Sequence, residues 1–451
     1  MRGRILAGFI ALALLLAGCG AGSPTSKTPQ ASPDEPLGGE LTLYAYSWDI
    51  RVKQAIAEFA LAYPQVKVNA IYIDDVQQMS QTAQTIQGRL EEGEGPDVLL
   101  FQNAGYLDAE QLYKDGRLLD LTSYMDEAAT AQYFPEALKA CQREDEMPLW
   151  PITLSIPHWV TTTQRLQTAG LNISGNGDTQ EDLLETVEAF LDREEASGVY
   201  SVFTSDNNSL ALSMYYANGQ PIVSADEQVT CISERQLQRL ADIARRVQYV
   251  PGTDQLKSAQ LVEASYKGMP AKQIDQSELI FSAYPIAGSA MLYDTVYDQL
   301  YGEQVVVLPM LDADGGITPQ INLYGGVNAN SKNPAAAAQL LMTMADGYSM
   351  RGAMVYQLAI PVRADLYEES VKSFGGGSMS TSDGQRLQTR PLPEPLRRQM
   401  LDLPNRFSRC QLVRRSHWQP IMEELQAYLT RGETDFSADY VRLVERMEAL
   451  E

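Results

Sequence analysis

The chain of 451 residues is poor in histidine: it has two, His158 and His417, and neither lies in an H-E-x-x-H arrangement. A histidine-built metal site or catalytic triad has almost nothing to draw on. There is no G-x-S-x-G elbow and no G-x-x-x-x-G-K-[ST] loop, so two common scaffolds of hydrolytic and nucleotide chemistry are missing as well. Asp312-Ala-Asp314-Gly315-Gly316 lacks the further acidic positions of a calcium loop and reads as a hairpin turn. No enzyme, cofactor or metal is expected. Cations are in deficit, 35 Lys and Arg against 58 Asp and Glu, and a formal charge of −23 argues against nucleic acid or anionic headgroups as partners. Tryptophan is scarce, with four: Trp48, Trp150, Trp159 and Trp418.

Long apolar runs are confined to the start. Arg2 and Arg4 precede an apolar core from Ile5 to Leu16 and the small pair Ala17-Gly18 before Cys19, the three-part pattern of an export signal. Leu16-Ala17-Gly18-Cys19 resembles the bacterial lipobox, so residues 1–18 are expected to be removed and Cys19 to carry lipid. Residues 19–39 are mostly Ser, Thr, Pro, Gly and Ala, too few large apolar groups to offset the entropy of ordering them, and read as a tether. No later segment offers the roughly 18 apolar residues of a membrane helix. Cys141, Cys231 and Cys410 allow at most one internal disulfide, and three buried thiols is an equal alternative.

What remains is long for one core, so two domains are the default. Leu41 to Tyr46 alternates as a strand; Val52, Ile56, Phe59 and Ala60 recur at helical spacing; Val66–Ile73 is a second strand, Val76–Leu90 a second helix and Asp97–Phe101 a third strand. That alternation predicts an α/β fold with parallel units. A further helix ends at Gly116 and another runs toward Cys141, with later helices over 180–196, 234–248, 334–346 and 418–430 and strands near 199–203, 304–308 and 323–329. Residues 364–415, with Gly375-Gly-Gly377, Pro391, Pro393, Pro395 and eight arginines from Arg386 to Arg415, read as an irregular basic surface segment.

In order along the chain stand Glu58-Phe59…Tyr63-Pro64-Gln-Val-Lys-Val68, Gly95-Pro96-Asp97-Val98-Leu99, Gly116-Arg-Leu-Leu-Asp120-Leu121, Trp150-Pro151-Ile152, Val306-Val-Leu-Pro309, Gly325-Gly326-Val-Asn-Ala-Asn-Ser331 and Ile360-Pro361-Val362-Arg363. This series resembles the extracellular solute-binding proteins of the maltose-binding type, family 1, which serve carbohydrate ABC importers. The resemblance implies a two-lobed α/β fold of the periplasmic-binding type, with a hinge and an interlobe cleft. One lobe would take 40–150 with 324–362, the other 151–323 with 363–451. It also implies a monomer outside the cytoplasm that closes on a small ligand, a sugar, and delivers it to the permease subunits. A polyol, polyamine or organophosphate ligand is an alternative, as is a surface lipoprotein acting as sensor or adhesion module.

A sugar offers flat CH faces between hydroxyl edges, so its site needs aromatic platforms and polar rims. Trp418 falls where relatives start the last long helix with a stacking aromatic. Tyr46 and Trp48 follow the first strand, at the end where open α/β sheets hold ligands, although Trp48 could equally pack under the next helix. Trp150 precedes the expected crossing between lobes and either lines it or packs there, and Ser155 lies where relatives place a polar contact. Phe101 and Asn103 end the third strand, where Gln102 or Asn103 could face the cleft. Asn207 lies in an Asp-Asn-Asn run that is also ordinary turn chemistry. Tyr284 and Tyr324 take cleft positions by resemblance, and Asp97 is read as structural.

Overall fold

The computed structural model describes residues 37–47, 49–102, 107–125, 130–173, 178–194, 201–203, 234–248, 279–281, 289–312, 314–347, 350, 360–380, 386–412, 414–431 and 435–449. The sequence-read signal, tether and Cys19 lie outside these residues, as does Cys231.

Alternation makes the first strand: in β1 (Gly39–Tyr46) Leu41, Leu43 and Ala45 point into the core while Thr42, Tyr44 and Tyr46 are half-buried. Helix α1 (Ile50–Ala62) starts at Asp49, whose carboxylate accepts from the Arg51 and Val52 amides, an N-cap. Strand β2 (Val66–Ile73), helix α2 (Val76–Glu91) and strand β3 (Val98–Gln102) complete the opening α/β units. Helices α3 (Ala109–Lys114) and α4 (Pro135–Cys141) follow; Gly116, just past α3, has the left-handed φ of 65° expected of it. Strands β4 (Trp150–Ser155) and β5 (His158–Thr162) are separated by Ile156 and Pro157 alone. Next come α5 (Thr163–Ala169), α6 (Gln180–Glu194), β6 (Ser201–Phe203), α7 (Glu234–Gln248), β7 (Leu279–Phe281), α8 (Ser289–Tyr301) and β8 (Val305–Pro309). The chain continues through β9 (Gln320–Val327), α9 (Pro334–Asp346), β10 (Ile360–Pro361), α10 (Ala364–Lys372), β11 (Ser378–Ser380) and β12 (Arg386–Gln388). It ends with α11 (Glu394–Asp402), β13 (Gln411–Leu412), α12 (Arg415–Thr430) and α13 (Ser437–Glu448).

The large sheet has the order β10-β4-β9-β3-β1-β2, with β13 added beside β9. β1 runs parallel to β2 and β3, whereas β9 returns antiparallel between β3 and β4. β5 and β8 form a separate antiparallel pair, and β6 and β7 a parallel one. The chain leaves the large sheet between β4 and β5 and re-enters it between β8 and β9. Two apolar clusters are distinct: one around Leu43, Phe59, Phe101, Ile321 and Leu341, the other around Trp159, Val187, Leu240, Leu308, Ile421, Tyr428 and Phe436.

The segment 364–415 differs from its sequence reading. It folds as two helices, a hairpin (β11–β12) and strand β13; Leu387 is buried, and Leu392, Leu396, Met400, Leu403 and Phe407 join the first cluster. The prolines read as breakers instead open α11, with Pro393 at its N-cap and Pro395 in its first turn. Gly375, at φ +124°, brings the backbone so close to Pro391 that an added Cβ would lie 2.7 Å from its nitrogen. Arg390 and Arg398 nonetheless remain on the surface, 69% and 78% exposed.

Candidate functional site

The carboxyl ends of β1, β3 and β4 and the start of β9 lie along one edge of the large sheet, where the chain crosses to β5 and from β8. A chain of polar side chains runs along this edge. Asp49, 4% exposed, accepts from Arg51 Nε and Nη2, both at 3.0 Å, and from Gln102 Nε2 at 2.8 Å. Arg51 Nη1 reaches 3.5 Å from Thr153 Oγ1, and Thr153 donates to Asn322 Oδ1 at 2.7 Å. Three strands, β3, β4 and β9, and the N-terminus of α1 are thus tied by one network. Its guanidinium is paired, so the edge presents hydrogen-bonding groups with little net charge. A bidentate Arg–carboxylate pair is among the stiffest polar units a protein can build, so these groups are held in place before any ligand arrives.

Several residues read from the sequence come to this edge. Tyr46 ends β1, half-buried, and with Gln102 and Phe101 lines a cavity of about 40 Å³ between the sheet and α2. Phe101 and Tyr324 are direct cross-strand partners, both buried, with rings stacked at 5.3 Å. Burial pushes the Tyr324 phenol well above its usual range. Trp150 begins β4 at 2% exposure, edge-on to Tyr133 at 5.3 Å, which is packing geometry. Ser155 ends β4 opposite Gln320, and both are buried. Trp418 stands in the first turn of α12; its side chain lies outside the described part. Trp48, Asn103, Asn207 and Tyr284 also lie outside the described residues.

Other readings resolve clearly. Asp97 is structural: it accepts from the Thr42 amide at 2.8 Å and the Ser331 hydroxyl at 2.6 Å, tying β1 to the loop after β9. Asp312 closes a turn by accepting from the Gly316 amide at 2.7 Å. Cys141 and Cys410 are buried free thiols, and burial raises both far above the ordinary thiol range. His158 is 1% exposed, donates through Nδ1 to the Ile156 carbonyl at 2.7 Å, and is pushed down to about 4 by burial, so it is neutral at pH 7. Among the described residues no three His, Cys, Asp or Glu converge on a metal-sized site, and no helix is long and apolar enough to cross a membrane. Asp49, Arg51, Thr153 and Asn322 were not singled out from sequence. Asp49 carried a signal, a capping residue directly between a strand and a helix, whereas Thr153 and Asn322 are 169 residues apart and meet through a pairing no local pattern announces.

Residues 49–346 match the family of bacterial extracellular solute-binding proteins, and the chain belongs to that family. Solved structures with the same two-lobed periplasmic-binding architecture include the GacH receptor of Streptomyces glaucescens, determined unliganded and with acarbose. It is 14% identical, with a TM-score of 0.57 over 92% of this chain and 98% of that one. An ABC substrate-binding protein of Listeria monocytogenes in complex with cycloalternan is 14% identical, with a TM-score of 0.58 over 91% and 99%. A solute-binding protein of Thermotoga lettingae bound to α-D-tagatose is 16% identical, with a TM-score of 0.59 over 92% and 100%. Such identities establish a shared fold. No curated protein sequence matches the chain significantly.

Proposed function

We propose that the protein captures a neutral mono- or oligosaccharide between a lobe built on the large sheet and a lobe built around β5 and β8, and passes it to the membrane subunits of an ABC importer. The carrying observation is the Asp49–Arg51–Gln102–Thr153–Asn322 network, a stiff and nearly neutral row of hydrogen-bonding groups at the edge where the chain crosses between the sheets. Similar folds solved with acarbose, cycloalternan and tagatose support the same ligand class. A polyamine would need free carboxylates, and Asp49 is already committed to Arg51, Gln102 and the amides of α1. Closure over the ligand would remove water and strengthen each hydrogen bond, and the open and closed forms give a transporter two states to distinguish.

A thermal-shift panel of maltose, maltotriose, raffinose, tagatose, spermidine and glucose 6-phosphate tests the reading. A ligand that binds only the native state at 100 times its Kd adds about 2.7 kcal/mol, which reads as a clear rise in Tm. At least one neutral sugar should produce that rise. A shift with spermidine alone, or with no compound, would sink the carbohydrate assignment.

Within this reading Trp418 supplies a stacking platform from the first turn of α12, whose stripe Ile421, Leu425, Tyr428 and Leu429 is fully buried in the second cluster and fixes the helix. Trp418→Ala should weaken sugar binding by about 1–3 kcal/mol, roughly 5- to 150-fold, with a smaller change in stability. A stability loss of about 3–5 kcal/mol with unchanged affinity would instead make it a core residue.

Leu16-Ala17-Gly18-Cys19 supports export and lipidation, which would hold the body outside the membrane on the tether 20–39. Cys19→Ser should give unprocessed protein that no longer incorporates labelled palmitate. Normal incorporation by that variant would remove the lipid anchor from the proposal.

A further inference from the structure

Two paired segments where the chain returns to the large sheet carry buried polar groups with no hydrogen-bond partner among the described residues. Thr318 lies just before β9 and Gln320 opens it; Gln411 opens β13 and Arg414 follows it, and β13 runs parallel to β9 with Gln411 opposite Gln320. The segments are bonded to each other, Gln411 N donating to the Pro319 carbonyl at 2.9 Å. Thr318 Oγ1, Gln320 Nε2, Gln411 Nε2 and Arg414 Nε are all buried and unpartnered. Thr318 is 0% and Gln320 8% exposed, so bulk water does not reach them freely. A buried polar group left without its partner costs about 1–3 kcal/mol, and folded proteins leave few of them. A concentration on two adjacent segments marks a place where something else supplies the partners.

The missing partner has a definite chemistry. Three of the four atoms, the two amide nitrogens and the guanidinium Nε, are donors only, so it must be rich in acceptor oxygens. It need not carry charge: Arg414 Nη2 already donates to both carboxylate oxygens of Asp108 at 2.9 Å, so the cation is neutralised beside the site. The groups also line up. Across β9 from Gln411, Gln320 faces Ser155 at the end of β4, and directly opposed residues in a sheet share a face. Ser155, Gln320 and Gln411 therefore make a polar row across three strands at the crossing edge. Four residues beyond Arg414, in the first turn of α12, stands Trp418.

We propose that this row is a subsite for the hydroxyl and ring oxygens of a neutral sugar at the hinge end of the cleft, with Gln320 and Gln411 setting specificity there. The subsite rests on the carbohydrate reading above. Ligand oxygens accept from the two amides and from Arg414 Nε, and the Ser155 hydroxyl supplies a rim contact that can donate or accept.

The test uses the full chain and the variants Gln320→Met and Gln411→Met, which keep length and lose the donor. Calorimetric titration is run with whichever of maltose, maltotriose, raffinose or tagatose shifts the unsubstituted protein, and with glucose 6-phosphate. Each variant should bind that sugar 10- to 100-fold more weakly while its ligand-free Tm stays the same or rises, because an unsatisfied donor has been removed. Unchanged sugar affinity in both variants would overturn the subsite, whether Tm holds, as fixed water at the amides would give, or falls, as structural amides would give. Tighter binding of glucose 6-phosphate than of any neutral sugar would overturn the neutral class. If no sugar shifts the unsubstituted protein, the carbohydrate reading fails, and the ligand named here fails with it; failure of the subsite alone shows only in the variants.

Discussion

Asp49→Ala should lower global stability by about 3–5 kcal/mol, the range seen when one member of a buried ion pair is removed. Asp49 is 4% exposed and accepts from Arg51 Nε and Nη2, from Gln102 Nε2, and from the Arg51 and Val52 amides that open α1. Without it Arg51, whose side chain is 19% exposed, keeps among the described residues only a 3.5 Å side-chain contact to Thr153, and α1 loses a cap worth about 1 kcal/mol within that total. Asp49→Asn keeps an acceptor for the cap and loses the charge, so about half of the loss is expected. Urea midpoints at pH 7 read both, and a loss under about 1 kcal/mol for the alanine variant would show that the network is solvated and not stiff. Sugar affinity should fall further than stability alone requires, because Arg51 and Gln102 would no longer be held in place.

The α/β units were legible because their signals are local. Leu41, Leu43 and Ala45 alternate, and α7 over 234–248 and α9 over 334–346 have the bounds expected from their apolar periodicity. The pairing of β9 between β3 and β4 was not legible, because Tyr324 must travel from far along the chain to stack on Phe101. The same non-local step hid half of the site: Asp49 and Arg51 are neighbours in sequence, but Thr153 and Asn322 join them only through sheet register. In the basic segment, glycine and proline look like interruptions in the sequence although each serves a defined conformation, and the arginines around Leu392, Leu396, Met400 and Leu403 obscure their apolar spacing.

Two buried titratable groups should oppose each other between pH 4 and pH 6.5. Burial pushes His158 down to about 4, so the fold holds it neutral while the unfolded chain begins to bind a proton near 6.5; its contribution is present above that pH and is lost as pH falls toward 4. Asp294, 8% exposed in α8, is pushed up to about 6 by burial and secondarily by the like charge of Asp298. Its folded form holds the proton more tightly than the unfolded chain, so its contribution is present below about pH 4 and is lost as pH rises through 6. At about 1.4 kcal/mol for each pH unit of displacement, each amounts to about 3 kcal/mol, and with opposite signs they nearly cancel. Asp294→Asn should therefore leave stability at pH 4 nearly unchanged and raise it by about 2–3 kcal/mol at pH 7, steepening the loss on acidification. His158→Asn, whatever constant amount it costs through repacking, should flatten or reverse that loss, since Asp294 then acts without opposition. Urea unfolding of the three proteins at half-unit steps from pH 4 to pH 7 gives the slopes. Parallel curves for all three would mean that neither group is buried with the displaced proton affinity on which the opposition depends.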